Sequence, residues 1–199
     1  MVPITSMKTK QFETEYECDE YLGVLWFKIS GCNNISLDDN ILTDIKKHKS
    51  IYLFCYNNPI DNLPINVEYL RLKWHFNQQL NNLPSKLKYL YIGPHFNHPL
   101  DNLPVNLEIL HILGNNYTYP LNNLPENIKH LIIECDIFNY PLNNLPDSIE
   151  CLELLLNIYD YKLERLPKQC NTIVLKNNIN YDFIDYLITE YPKLIIKFK

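Results

Sequence analysis

The sequence predicts a leucine-rich-repeat solenoid with a parallel β-sheet on its concave face and a helix-poor polyproline or 3₁₀ wall on its convex face. Three observations carry that expectation. Leu-Pro pairs recur at 63, 83, 103, 124, 145 and 166, so the period is 20 or 21 residues, and a fixed period in that range marks a stacked repeat. Each period contains an L-x-x-L-x-L segment, whose alternation is that of a strand with one buried face. The other half of each period is of the form Pro-Leu-(Asp/Asn)-Asn-Leu-Pro, with both prolines present in four of the six copies, and two prolines within six residues exclude a helix there.

The blocks are aligned on an opening aromatic at Tyr56, Phe76, Phe96, Tyr117, Phe138 and Tyr159. Their strand segments are Val67…Leu70-x-Leu72, Leu87…Leu90-x-Ile92, Leu107…Leu110-x-Ile112, Ile128…Leu131-x-Ile133, Ile149…Leu152-x-Leu154 and Cys170…Ile173-x-Leu175. A further strand at 51–55 precedes them. The opening aromatics should stack turn upon turn, with Phe76, Phe96, Tyr117 and Phe138 forming a buried ladder. The asparagine before each Leu-Pro (Asn62, Asn82, Asn102, Asn123 and Asn144) is expected to join that scaffold by satisfying backbone groups from coil to coil. Arg165 takes this place in the last block, which also loses its first proline, as a solenoid end should.

Both ends need covers. Ser36-Leu37-Asp38-Asp39 reads as the capped start of a helix running to about His48. Residues 181–188 carry apolar side chains at helical spacing before Pro192, and Leu194–Phe198 reads as a last strand. A strand is also expected within Tyr21–Ile29, and the first dozen residues read as loosely held. The expected organisation is one domain: an N-terminal cap at 1–50, repeats at 51–178 and a helix-strand cap at 179–199.

A net charge of −5, with no run of Lys or Arg, argues against nucleic acid as a partner. The apolar stretches are too short to span a membrane. Six cysteines lie neither behind an apolar leader nor in close Cys-x-x-Cys pairs, so free thiols in a cytoplasmic protein are expected.

The unit F-N-x-P-L-x-N-L-P-x-x-L-x-x-L-x-I resembles the FNIP repeat, a leucine-rich-repeat subtype of social amoebae and giant amoeba-infecting viruses. Phe76-Asn77, Phe96-Asn97-His98-Pro99 and Phe138-Asn139-Tyr140-Pro141 carry the resemblance. It implies a binding scaffold without enzymatic activity, in the host cytoplasm if the chain is viral. Some such proteins are ubiquitin-ligase adaptors with an F-box ahead of their repeats. Residues 1–50 lack the Leu-Pro start and three-helix pattern of that element.

Residues alternating with the core leucines should line the concave face. In the N-terminal half these include Tyr52, Tyr69, Arg71, Tyr89, Tyr91 and His111, an aromatic patch with a positive centre. Tyr and Arg anchor protein interfaces because they bury much area at low entropic cost, so these six are the expected partner contacts. His111, His130, Cys151 and Glu153 share the same face, but a flat ribbon lacks the loops and helix N-terminus that build an oxyanion site. His75, His95 and His98 follow the repeat period rather than ligand geometry. No catalytic residue, metal or cofactor is therefore expected. The function expected is a protein-interaction module, monomeric or weakly associated through its terminal strands. The alternatives are a substrate-recognition adaptor for ubiquitin ligation and a structural virion or assembly component.

Overall fold

The computed structural model describes residues 7–9, 12–19, 24–30 and 37–199. Its elements in chain order are β1 (Met7–Thr9), β2 (Phe12–Asp19), β3 (Val24–Ser30), α1 (Asp39–Ile45), β4 (Ser50–Phe54), β5 (Tyr69–Leu72), β6 (Tyr89–Ile92), β7 (Ile109–Gly114), β8 (His130–Cys135), β9 (Cys151–Leu154), β10 (Thr172–Leu175), α2 (Tyr181–Glu190) and β11 (Ile195–Phe198). All eleven strands join one sheet in sequence order. From β3 to β11 every pairing is parallel. The architecture is a parallel β-solenoid with few helices.

Register turns the repeat into columns. Leu70, Leu90, Leu110, Leu131, Leu152 and Ile173 are successive partners across β5–β10, as are Leu72, Ile92, Ile112, Ile133, Leu154 and Leu175. All twelve are buried. A one-residue slip would turn every one of these side chains to the other face, so the alternation locks the register.

The segments between strands are built from turns rather than helices. After each Leu-Pro, the proline carbonyl accepts the amide three residues on: Val67 N to Pro64 O at 3.1 Å, Leu87 N to Pro84 O at 3.0 Å, and the same at Leu107, Ile128, Ile149 and Cys170. Proline donates nothing but accepts freely, so it can open the turn that delivers the next apolar residue into the core. The block aromatics stack beneath these turns. Ring centroids of Phe76–Phe96, Phe96–Tyr117 and Tyr117–Phe138 are each 6.3 Å apart, with interplanar angles of 8°, 11° and 19°.

The asparagine row requires a correction. Asn62, Asn82, Asn102, Asn123 and Asn144 are all exposed. Three of them make contacts: Asn62 with the Leu37 carbonyl at 3.5 Å, Asn123 with Asp101 at 3.0 Å and Asn144 with Asn122 at 3.3 Å. Apart from the Asn62 contact, the backbone bridges are made by other positions. The asparagine after each aromatic accepts the amide one turn on, Asn57 from Asn77 at 2.7 Å, Asn77 from Asn97 at 2.9 Å, Asn97 from Thr118 at 3.0 Å and Asn139 from Asp160 at 3.1 Å. A second set donates to the preceding turn: Asn66 to His48 O at 2.7 Å, Asn106 to Ser85 O at 2.8 Å and Asn127 to Val105 O at 2.8 Å. The Leu-Pro asparagines sit on the outer turn between the two apolar residues that pack inward, such as Leu100 and Leu103, so they point outward.

The N-terminal cap also differs from expectation. The Asp38 carboxylate accepts from the amides of Asn40 and Ile41, starting α1 as expected, but the helix ends at Ile45 rather than near His48. Ahead of it, β1, β2 and β3 pair antiparallel, so this end is extended by strands and not by a helix and strand alone. Met7–Thr9 lies in a strand; the rest of the first eleven residues, and Tyr21–Gly23 of the expected strand, fall outside the described residues. At the other end α2 is capped by Asn180 and buries Phe183 and Leu187. Phe183 meets Tyr159 edge-on at 5.4 Å, closing the core at that end.

Candidate functional site

On the sheet face opposite the leucines, three side-chain columns run across the strands. The first contains Ser50, Tyr69, Tyr89, Ile109, His130, Cys151 and Thr172. The central one contains Lys28, Tyr52, Arg71, Tyr91, His111, Ile132, Glu153 and Val174. The third includes Leu113 beside Glu134.

The structure gathers the six expected contact residues around a member the sequence reading missed, Trp26. Its ring lies 6.4 Å from Tyr69 and 5.9 Å from Tyr89, while Tyr69 and Tyr89 are 6.5 Å apart. The Arg71 guanidinium sits 4.9 Å over Trp26, 5.6 Å from Tyr91 and 6.0 Å from Tyr52. Lys28 lies over Tyr52 and Phe54, and Lys73 over Tyr52 and Tyr91. His111 meets Tyr91 edge-on at 4.6 Å. Positive groups thus alternate with aromatic faces, each cation attracted by the ring quadrupoles beside it.

Burial corrects the expected contact set. Tyr52, Tyr89 and Tyr91 are buried, as is Trp26, so they form a second apolar cluster rather than an open surface. Burial holds the Tyr91 hydroxyl well above the ordinary tyrosine range. Tyr69, Arg71 and His111 are half-buried and keep an accessible edge. Next to them Trp74 is 48 % exposed, meets Phe54 edge-on at 6.3 Å and has φ of 54°. That left-handed backbone is unfavourable for a side chain of this size. A strained, solvent-facing tryptophan was not legible from the repeat, because Trp74 occupies a variable position just past the strand.

The C-terminal half of the face carries two histidine–glutamate pairs set among Leu113, Ile132 and Val174. His130 Nε2 lies 2.8 Å from Glu153 Oε1, and His111 Nε2 lies 3.5 Å from Glu134 Oε2. Each imidazole holds its carboxyl below the ordinary glutamate range. Cys151 adjoins the His130–Glu153 pair, and burial pushes its thiol up, which is opposite to the activation a nucleophilic cysteine needs. His75 and His95 approach each other on the exposed loops, their ring centroids 5.3 Å apart. Cys55, Cys135, Cys151 and Cys170 are free thiols. Among the described residues no helix is long and apolar enough to cross a membrane.

Comparison with known families agrees with this geometry. Residues 56–95 and 96–136 each match the family model of the FNIP repeat. Each match starts on a block aromatic and covers about two turns of the solenoid. A search of the curated proteins finds no match to the chain.

Proposed function

We propose that this chain, an FNIP-repeat protein, is a non-catalytic scaffold that binds another protein on the sheet face opposite its leucine core. The observation that carries the reading is the cluster around Arg71. Four aromatic rings and a guanidinium are held against one another on a rigid sheet. The accessible edges of Tyr69, Arg71, Lys73, Trp74 and His111 form the contact, and the buried Trp26, Tyr52, Tyr89 and Tyr91 fix its shape. A surface already ordered before binding loses little conformational entropy on association, and Trp, Tyr and Arg supply most of the energy at such contacts. The cytoplasm is the proposed location.

The test is photo-crosslinking with a benzophenone amino acid at position 74 and, separately, at the exposed Val105 on an outer loop. A discrete cross-linked protein from position 74 and none from 105 is the expected result. Equal products from both positions, or none from 74, would overturn the reading.

A second reading rests on β11. It is an edge strand with Ile195 and Phe198 about half exposed, and unpaired edges recruit further strands. Assembly through this edge predicts concentration-dependent oligomers in light scattering that deletion of residues 192–199 abolishes. An adaptor role in ubiquitin ligation has less support, since the described part of residues 1–50 holds three strands and one short helix.

A further inference from the structure

We propose that His130, Cys151 and Glu153 form a site for a divalent transition metal, with zinc the best fit to the donor set. Register creates the cluster. His130 opens β8 directly beside Cys151, which opens β9, and Glu153 follows Cys151 by two residues, returning to the same face. One ligand atom from each residue lies within 4.8 Å of the others. A tetrahedral ion with bonds of about 2.0–2.3 Å sets its ligand atoms roughly 3.3–3.8 Å apart. To reach that spacing the 2.8 Å contact between His130 and Glu153 widens, and any pair near the 4.8 Å limit closes by about 1 Å.

The chemistry of the donors selects the ion. Imidazole nitrogen and cysteine sulfur favour zinc and its neighbours, whereas calcium and magnesium require oxygen ligands throughout. Binding replaces the proton shared between His130 and Glu153 and releases the Cys151 thiol proton, so the ion meets a neutral imidazole, a thiolate and a carboxylate. The second Glu153 oxygen lies 3.6 Å from Lys199 Nζ, which orients the carboxylate. Three protein ligands leave a fourth position open, directed away from the leucine core. The site is also absent from the sequence signature of zinc motifs, because its ligands are gathered from two turns of the repeat rather than from one short segment.

The test uses Co²⁺ and Zn²⁺ with the full-length reduced protein. Wild type should bind Co²⁺ with 1:1 stoichiometry, giving a thiolate-to-cobalt charge-transfer band and the strong visible absorption of tetrahedral cobalt, both removed by one equivalent of Zn²⁺. Cys151→Ser should abolish the charge-transfer band. His130→Gln and Glu153→Gln should each weaken Zn²⁺ binding on the order of 100-fold. Cys170→Ser, which alters a neighbouring half-buried thiol outside the cluster, should change neither. Circular dichroism establishes that each variant is folded, and the three single replacements are read independently should one fail to fold. A wild type that takes up no Co²⁺, or a charge-transfer band that survives Cys151→Ser, would overturn the site.

Discussion

The two faces of the sheet are built on opposite principles. On the core face each position repeats: Leu70, Leu90, Leu110, Leu131 and Leu152 occupy one column, and the stacked rings from Phe76 to Phe138 another. On the other face the central column changes at every strand, through Tyr52, Arg71, Tyr91, His111, Ile132 and Glu153. The repeated face secures the stacking of turns, since each turn cannot bury its apolar edge alone. The varied face is free of that requirement, and its differences give the molecule its individual chemistry.

The largest expected effect is on the repeated face. Phe96→Ala removes the middle of the ladder and should cost about 3–5 kcal/mol in denaturant unfolding. A loss below about 1 kcal/mol would mean that the ladder contributes little.

The asparagines separate next. Asn97→Ala deletes the acceptor for the Thr118 amide and hydroxyl, at 3.0 and 3.1 Å, and should cost about 1 kcal/mol. Asn102→Ala, at an exposed site, should stay within about 0.5 kcal/mol of wild type. Equal effects would remove the distinction between the two asparagine rows.

Two replacements should be neutral or favourable. The Tyr117 hydroxyl is buried with no hydrogen-bond partner among the described residues, so Tyr117→Phe should leave stability unchanged or raise it by about 1 kcal/mol. Trp74→Gly relieves a left-handed backbone while giving up the contact with Phe54. It should likewise hold stability steady or raise it by about 1 kcal/mol. A marked loss at position 74 would make that tryptophan part of the framework rather than of the contact surface.

The smallest effect is electrostatic and fades in acid. Glu68 is gripped by Lys49 at 2.5 Å and Lys88 at 2.8 Å, and the two ammonium groups lower its carboxyl from 4.5 to about 2. A depressed carboxyl contributes stability that is fully present above about pH 4.5 and is lost as pH falls toward about 2. Glu68→Gln should therefore be slightly less stable than wild type above about pH 4.5 and converge with it as pH falls toward about 2, which flattens the acid limb of the stability–pH profile. An unaltered acid limb would show that this surface triad does not contribute.

The difference between the faces also explains what the sequence disclosed. Repetition made the core legible: period, strand positions, inward leucines and aromatic stacking all follow from spacing. The outward direction of Asn62, Asn82 and Asn102 was hidden because asparagine is at home both as a bridge and on a surface, and three asparagines per block offered competing rows. Trp26 was readable as a strand residue, yet its place beside Tyr69 and Tyr89 depended on the pairing of β3 with β4, which no repeat specifies. The burial of Tyr52 and Tyr89 followed from that same packing. His130, Cys151 and Glu153 could be assigned to a common face, but their convergence within 4.8 Å required the register and the side-chain geometry together.

The central claim is that stability resides on the repeated face and recognition on the varied one. Its most direct test is affinity capture with wild type beside Lys73→Glu/Trp74→Gly, at matched concentration and with matched unfolding curves. The account predicts that a protein retained by wild type is lost from the folded variant. Equal retention by both proteins would contradict it and shift attention to the β11 edge.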